Sequence, residues 1–162
     1  IEGLTMICII DEKNIIVNIV NAEKPQASDE RAFNPWNRLG AIYTDVEPLD
    51  YARERYIVKA KAERDAGEVM PITYNGNTFD YDAKARERLL IARTALADSG
   101  QATIAWTTAD NADVPLSLTD FKAINGLVAK RSNDLHVWYR GVKAKLMAVA
   151  NIEELEQIYP IK

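Results

Sequence analysis

Two runs of β-branched residues open the chain and predict an antiparallel hairpin. The apolar runs Ile7–Ile10 and Ile15–Val20 are separated by four polar residues, which is typical of two strands joined by a turn. Residues 22–39 carry Pro, Ser, Asp and Asn without a regular period and are predicted as a loop. We expect a third strand over residues 41–46. Together these elements predict a small N-terminal β module over residues 1–47.

A charged helix is predicted next. Pro48 suits the first turn of a helix, residues 51–66 are dense in Ala, Arg, Lys and Glu, and Gly67 is a typical stop. The charges leave a thin apolar stripe, which we assign to Tyr51, Val58 and Ala62. This helix is therefore predicted to be a connector over residues 48–69.

A second hairpin and an amphipathic helix follow. Asn75 and Gly76 lie between two β-rich runs, and this dipeptide favours a tight hairpin because both turn positions need a positive φ. Asp82 is predicted to cap a helix that ends at Ser99, before Gly100. The apolar residues of this helix recur at helical spacing: Ala85, Leu89, Ala92 and Leu96.

The last third of the chain predicts one long helix. Residues 101–107 are predicted as a strand and residues 108–115 as a polar turn. Ser117 and Asp120 resemble a capping box with Asp in place of the usual Glu, and apolar residues then repeat at steps of three, four or seven. The expected fold class is α+β, in which the β module and the connecting helix precede a C-terminal domain over residues 70–162 with a hairpin and several helices, one of them long.

Composition is that of an acidic globular protein. The chain has 162 residues, of which 48% are hydrophobic, enough to bury a core. Its formal net charge of -4 makes nucleic acid a poor partner. No apolar run approaches the roughly 20 residues that span a bilayer, so no membrane partner is expected. The first residues lack the pattern of a signal peptide, and we expect a reducing cytoplasm.

Candidate catalytic chemistry is sparse. Cys8 is the only cysteine and His136 the only histidine, so an intramolecular disulfide and a multi-histidine metal centre lack their residues. Cys8 lies in an apolar run and is predicted to be a buried hydrophobe. The sequence contains no phosphate-binding glycine motif. We therefore predict no enzyme, with no catalytic residue, no metal and no cofactor.

Two alternatives of other classes stay open. Asp80 and Asp82 would serve a hydrolase if their carboxylates converged, and residues 110–113 resemble the start of a calcium loop without its glycine and closing glutamate. A nucleic-acid-binding regulator would need a continuous basic face on the long helix, formed by Lys130, Arg131, Arg140, Lys143 and Lys145.

Two turn motifs in a fixed order carry a family resemblance. Residues 73–80, Thr-Tyr-Asn-Gly-Asn-Thr-Phe-Asp, resemble the opening of a domain of uncharacterised function found in tail-fibre and tail-fibre-assembly proteins of tailed bacteriophages. In that family a helix, a strand with a tryptophan, a turn, a long helix and a short acidic helix follow. Trp106 and residues 108–115 occupy the matching places here. The resemblance covers about residues 70–158.

The resemblance implies a function without site chemistry. It implies an accessory protein that binds a phage tail fibre or another tail protein and aids fibre assembly, acting as a chaperone in the host cytoplasm. A permanent subunit of the virion tail or baseplate is the alternative, and a homo-oligomer stays open. The family supplies no catalytic or ligand-binding residues, so the motif residues are expected to form a framework: Tyr74, Asn75, Gly76, Phe79, Trp106, Asp110, Asp113 and Pro115.

Overall fold

The computed structural model of the protein describes residues 5–22 and 30–160. Its helices and strands form an α+β fold, which confirms the predicted fold class. The chain divides into two compact units, Ile1–Arg55 with Ala150–Ile152 and Tyr56–Val149 with Glu153–Lys162. The domain boundaries predicted after residues 47 and 69 stay predictions.

The first unit is built on a three-stranded antiparallel sheet. Its strands pair in the order β2–β1–β3: β1 (Thr5–Ile10), β2 (Ile16–Ala22) and β3 (Glu30–Ala32). The Asp11 carboxylate accepts hydrogen bonds from the backbone N–H groups of Lys13 and Ile15, each at 2.9 Å, and thereby imitates a backbone turn. The hairpin predicted from the two β-branched runs is confirmed.

Strand β3 corrects the prediction of a loop over residues 22–39. Its three residues pair with the second edge of β1, because a neighbouring strand supplies backbone partners even to a polar segment. Residues 23–29 of the predicted loop lie outside the described residues. Cys8 on β1 is fully buried beside Ile10 and Tyr43, which confirms the predicted buried hydrophobe, and burial raises the pKa of its thiol.

The strand predicted over residues 41–46 is wrong. Ile42 forms an isolated bridge to the residue before β2, and the segment does not continue as a strand. Side chains satisfy its backbone instead: Trp36 Nε1 donates to the Thr44 carbonyl at 3.0 Å, and Thr44 N–H donates to Asn37 Oδ1 at 3.2 Å. A backbone already bonded in this way does not need a strand neighbour.

Four helices and two further hairpins make up the rest of the fold within the residues that the structure describes. They are α1 (Leu49–Glu68), β4 (Ile72–Tyr74), β5 (Asn77–Phe79), α2 (Ala83–Ser99), β6 (Ile104–Thr107), β7 (Asp113–Leu116), α3 (Leu118–Ala148) and α4 (Ile152–Ile158). The predicted polar turn over residues 108–115 is too long, because residues 113–115 already belong to β7. None of the helices in the described ranges has the length and apolar content to cross a membrane.

Helix α2 and the start of α3 enclose the core of the second unit. Asp82 Oδ1 accepts a hydrogen bond from Ala85 N–H at 2.7 Å, and Gly100 ends α2 in the left-handed conformation. Ser117 and Asp120 form the predicted capping box of α3. The four apolar residues predicted for α2 are buried, and Leu89, Ala92 and Leu96 belong to a cluster that includes Phe79, Phe121 and Ile124. Periodicity therefore located the buried face of α2 correctly.

The apolar stripe predicted for α1 is wrong at Val58 and Ala62, whereas Tyr51 is half-buried and packs edge-to-face on Trp36. Val58 is 59% exposed and Ala62 is also exposed. The residues that are buried recur at every fourth position and are Ala52, Tyr56 and Ala60. A small alanine lets a neighbouring element approach the helix backbone closely, so a stripe chosen by side-chain size misses the buried face.

The Arg131 guanidinium joins the end of α1 to the middle of α3. Its Nη2 donates to the Glu68 carbonyl at 2.8 Å, and its Nη1 donates to the carbonyls of Met70 and Pro71 at 2.5 and 3.3 Å. It also lies over the Tyr81 ring, 5.2 Å from the centroid. The last carbonyls of a helix have no partner within the helix, so Arg131 caps α1 and holds the chain that leads into β4.

Close packing at Gly67 supports the same contact. A Cβ at this position would lie 2.9 Å from the Leu135 side chain on α3, so a larger residue would require the Leu135 side chain to move. Gly67 was predicted to end α1, but the helix continues through it to Glu68. The Glu68 carboxylate then accepts a 2.8 Å hydrogen bond from the Ser132 hydroxyl.

Leu89 and Leu90 provide a matched test of the core. Leu89 is 5% exposed and Leu90 is 61% exposed. Leu89→Ala is expected to lower the free energy of unfolding by about 2–5 kcal/mol, because it removes buried methyl groups and leaves a cavity. Leu90→Ala on the outer face is expected to change it by no more than about 0.5 kcal/mol. Urea unfolding measures both, and equal effects would contradict the assigned face.

Arg131 and Lys130 provide a second matched pair. Arg131→Lys is expected to lower the free energy of unfolding by about 1.5–3 kcal/mol, because one ammonium cannot replace the planar fork that reaches three carbonyls. Lys130 is exposed and pairs with Asp134 at 2.5 Å, so Lys130→Ala is expected to cost less than about 1 kcal/mol. If Arg131→Lys unfolds at the same urea concentration as the wild type, the assignment of Arg131 as the cap of α1 is wrong.

Candidate functional site

An open cleft of about 320 Å³ lies beside β6 in the second unit. It is lined by the segment after β5, by the first turns of α2, and by β6 with its turn: Asp80, Ala85, Arg88, Ala105, Trp106, Thr107, Thr108 and Asn111. The two hairpins meet at one backbone hydrogen bond, in which Ala109 N–H donates to the Thr78 carbonyl at 2.8 Å. They otherwise form separate two-stranded sheets. The cleft therefore lies where these two sheets part.

The hydrogen-bond register of the β6–β7 hairpin leaves backbone groups free on β6. Thr108 N–H donates to the Ala112 carbonyl at 2.8 Å, so this pair is a hydrogen-bonded position of the antiparallel ladder. Positions alternate along such a ladder, and Ala105 opposite Pro115 is therefore a non-hydrogen-bonded position, as is Thr107. The N–H and C=O groups of Ala105 and Thr107 consequently point to the outer edge of β6, and both residues line the cleft.

The cleft also presents opposite charges and an aromatic ring. Asp80 and Arg88 are exposed, and neither side chain has a hydrogen-bond or ion-pair partner among the residues that the structure describes. Trp106 is half-buried and packs edge-to-face on Phe121, with ring centroids 6.0 Å apart. The cleft thus offers a carboxylate, a guanidinium and part of an indole ring beside a free strand edge.

The residues of the first predicted motif shape the β4–β5 hairpin. Asn75 and Gly76 both have positive φ, 48° and 77°, as a type I′ turn requires. Phe79 is fully buried. The Tyr74 hydroxyl donates to Asp120 Oδ1 at 2.8 Å, which raises the pKa of Tyr74. This motif therefore ties the hairpin to the capping box of α3.

The residues of the second predicted motif close the β6–β7 turn. The Thr108 hydroxyl donates to Asp110 Oδ1 and holds the pKa of that carboxyl below its usual range. The Thr107 hydroxyl donates to Asp113 Oδ1 at 2.8 Å. Pro115 lies exposed on β7. The two aspartates thus each bind a threonine of the same hairpin, and the framework role predicted for both motifs stays a prediction.

The structure separates the residues of the alternative sites. Asp82 caps α2 whereas Asp80 lines the cleft. Across residues 5–22 and 30–160, no group of three or more His, Cys, Asp and Glu side chains is placed to hold a metal ion. His136 Nε2 lies 3.5 Å from Glu68 Oε1. Of the basic residues considered for nucleic acid, Lys130 pairs with an aspartate and Arg131 binds backbone carbonyls.

Sequence analysis missed the residues that make the cleft. No motif or period in the sequence marked Arg88, Ala105 or Thr107. One signal was present, because Pro115 has no N–H and can face only an outer edge or a non-hydrogen-bonded position of a ladder. In a strand over residues 113–116, this proline predicts that position 115 is non-hydrogen-bonded in the ladder.

Comparison with known families places most of the chain in one of them. Residues 51–159 match a domain of unknown function, DUF4376. The chain belongs to the DUF4376 family. The DUF4376 match extends from α1 to the residue after α4 and includes both hairpins, the cleft and the Arg131 contacts. Comparison with curated proteins gave no match, and comparison with solved structures gave none either.

Asp120 predicts a pH-dependent stability of this DUF4376 region. The Ser117 hydroxyl, the Ser117 backbone N–H and the Tyr74 hydroxyl lower the pKa of Asp120. Its ionised form therefore stabilises the fold above the unfolded-state pKa of about 3.9, and this contribution is lost as the pH falls through the lower folded-state pKa. Asp120→Asn is expected to be less stable than the wild type at neutral pH, with a difference that shrinks in acid.

Urea midpoints between about pH 7 and pH 3 measure this difference. Asp98→Asn, at an exposed position of α2, is the matched control and is expected to follow the wild type at each pH. A constant gap between Asp120→Asn and the wild type across this range would show that the charge of Asp120 does not carry the effect.

Proposed function

We propose that this protein is an accessory protein of a bacteriophage tail, which binds a tail fibre or another tail component and aids its assembly. Support comes first from the order of motifs over residues 70–158, which resembles domains of tail-fibre and tail-fibre-assembly proteins. The family match over residues 51–159 includes the same stretch and carries no function of its own.

The observation that carries the proposal is the free edge of β6 within an open cleft. Ala105 and Thr107 turn backbone donors and acceptors outward, and they line a cleft of about 320 Å³. An unpaired strand edge is a template for pairing with a second protein. This geometry supports protein binding more directly than it supports chemistry on a small molecule.

The folding of phage fibres supplies a physical reason for a protein with a free strand edge. These fibres are slender β-rich trimers, whose strands pair over long sequence separations and therefore fold slowly. Incomplete trimers expose strand edges and apolar surface, and such species aggregate. A small protein that occupies an edge until the trimer closes raises the yield of soluble fibre. Its place of action is then the cytoplasm of the infected host.

Co-expression tests this proposal. The tail-fibre protein encoded beside this chain is produced with and without it, and the yield of soluble trimeric fibre is measured by size-exclusion chromatography with light scattering. We expect soluble trimer to increase several-fold when the chain is present, and the chain to co-purify at least with the incomplete fibre.

Two further results distinguish a permanent tail subunit from a chaperone and test the tail proposal itself. Retention of the chain in finished particles would identify a permanent tail or baseplate subunit, and release would identify a chaperone. An equal yield of trimer without the chain, together with no co-purification, would end the tail proposal. The nucleic-acid-binding regulator then becomes the next hypothesis, and a steep loss of DNA binding with salt would support it.

A further inference from the structure

We infer that the partner contributes an extended segment that adds to the outer edge of β6 as a further β-strand, inside the cleft between β6 and α2. The inference rests on the proposed function, because it names how the tail partner binds. It goes further in assigning one edge, one backbone conformation and a charge pattern to the contact.

The free backbone N–H and C=O groups of β6 require a partner segment in an extended conformation. Ala105 and Thr107 each present an N–H and a C=O to the outer edge, and two residues spaced by two match the repeat of a neighbouring strand. A helix satisfies its own backbone and has no groups to offer these positions. An extended segment can therefore exchange up to about four backbone hydrogen bonds with β6.

Neither neighbouring strand offers the same edge. On β5 the outward carbonyl of Thr78 already accepts the hydrogen bond from Ala109. On β7 the outward position opposite Ala105 is Pro115, which has no N–H to give. The outer edge of β6 thus presents two residues with both a donor and an acceptor beside an open cleft.

The cleft walls specify side chains of the added strand. Arg88 and Ala85 lie three residues apart on α2 and form one wall, and Asp80 stands on the segment after β5. Because Arg88 and Asp80 have no partner among the described residues, an acidic residue of the partner is expected against Arg88. A basic or hydroxyl-bearing residue is expected against Asp80, and Ala85 leaves room for a side chain between them.

Amide hydrogen exchange of the free chain is the first test. The amides of Ala105 and Thr107 are expected to exchange rapidly, whereas those of Ile104 and Trp106 are expected to be protected by the ladder with β7. Protection of Ala105 and Thr107 in the free chain would overturn the inference, whatever the fibre does, because the edge would already be occupied.

Exchange in the complex is the second test. Addition of the neighbouring tail-fibre protein is expected to slow exchange at Ala105 and Thr107 by at least about tenfold and to leave the amides of the first unit unchanged. If the fibre binds but these two amides keep their free rates, strand addition is wrong and the proposed function stands. If the fibre does not bind at all, the proposed function fails and the inference fails with it.

Two proline substitutions give a matched pair. Ala105→Pro removes one outward donor without touching the bonds between β6 and β7, and it is expected to weaken fibre binding by about tenfold. Pro115→Ala restores a donor on β7 and is expected to bind within about twofold of the wild type. Thermal unfolding of each variant checks that it is folded. Equal binding by a folded Ala105→Pro variant would overturn the inference.

If the Ala105→Pro variant does not fold, the Arg88→Glu variant still tests the charge contact in the cleft. The substitution lies on the exposed face of α2 and leaves the strand edge intact. We expect weaker fibre binding from the reversed charge, and partial recovery when a lysine replaces the acidic residue of the fibre segment that becomes protected in the complex. Unchanged binding by Arg88→Glu would exclude the assigned charge contact.

Discussion

The second unit depends on one guanidinium. Arg131 reaches from the middle of α3 to carbonyls at the end of α1 and at the entry to β4, and it covers the Tyr81 ring that precedes α2. Three parts of the chain, at residues 68–71, Tyr81 and Arg131, are thereby held at one point. A charged group with donors in a fixed plane suits this task, because each carbonyl would otherwise need its own partner or water. The position of the β4–β5 hairpin, and with it one side of the cleft, follows from this contact.

Local sequence signals predicted the local structure well. The capping residues Asp82 and Ser117, the Asn75–Gly76 turn and the buried spacing of α2 were all visible in the sequence, because each acts within a few residues. The errors arose where partners distant in sequence decide the structure. Residues 30–32 became a strand because β1 offered an edge. Residues 41–46 did not continue as a strand because the side chains of Trp36 and Asn37 took the backbone bonds of Thr44.

The role of Arg131 likewise could not be predicted from local sequence, because its partners are distant in the chain. In the sequence it interrupts the apolar stripe of the long helix and looks like a defect in the pattern. Its role depends on where α1 ends, and Gly67 made that end appear two residues too early. The cleft was hidden for a similar reason, since Arg88, Ala105 and Thr107 carry no signal until the register of the β6–β7 hairpin is known. Periodicity reveals which side of an element is buried, but it does not reveal what the exposed side meets.

Pro115 makes the two outer edges of the β6–β7 hairpin different from each other. A strand that joins β6 becomes part of a sheet whose far side is β7, and there the proline leaves a gap in the row of donors. A further chain on the β7 side meets an incomplete row of donors, so Pro115 disfavours growth of the sheet on that side. The β6–β7 hairpin therefore limits extension of the sheet on its β7 side. Under the proposed function this asymmetry matters, because a protein with two complete open edges would link two β-rich partners together.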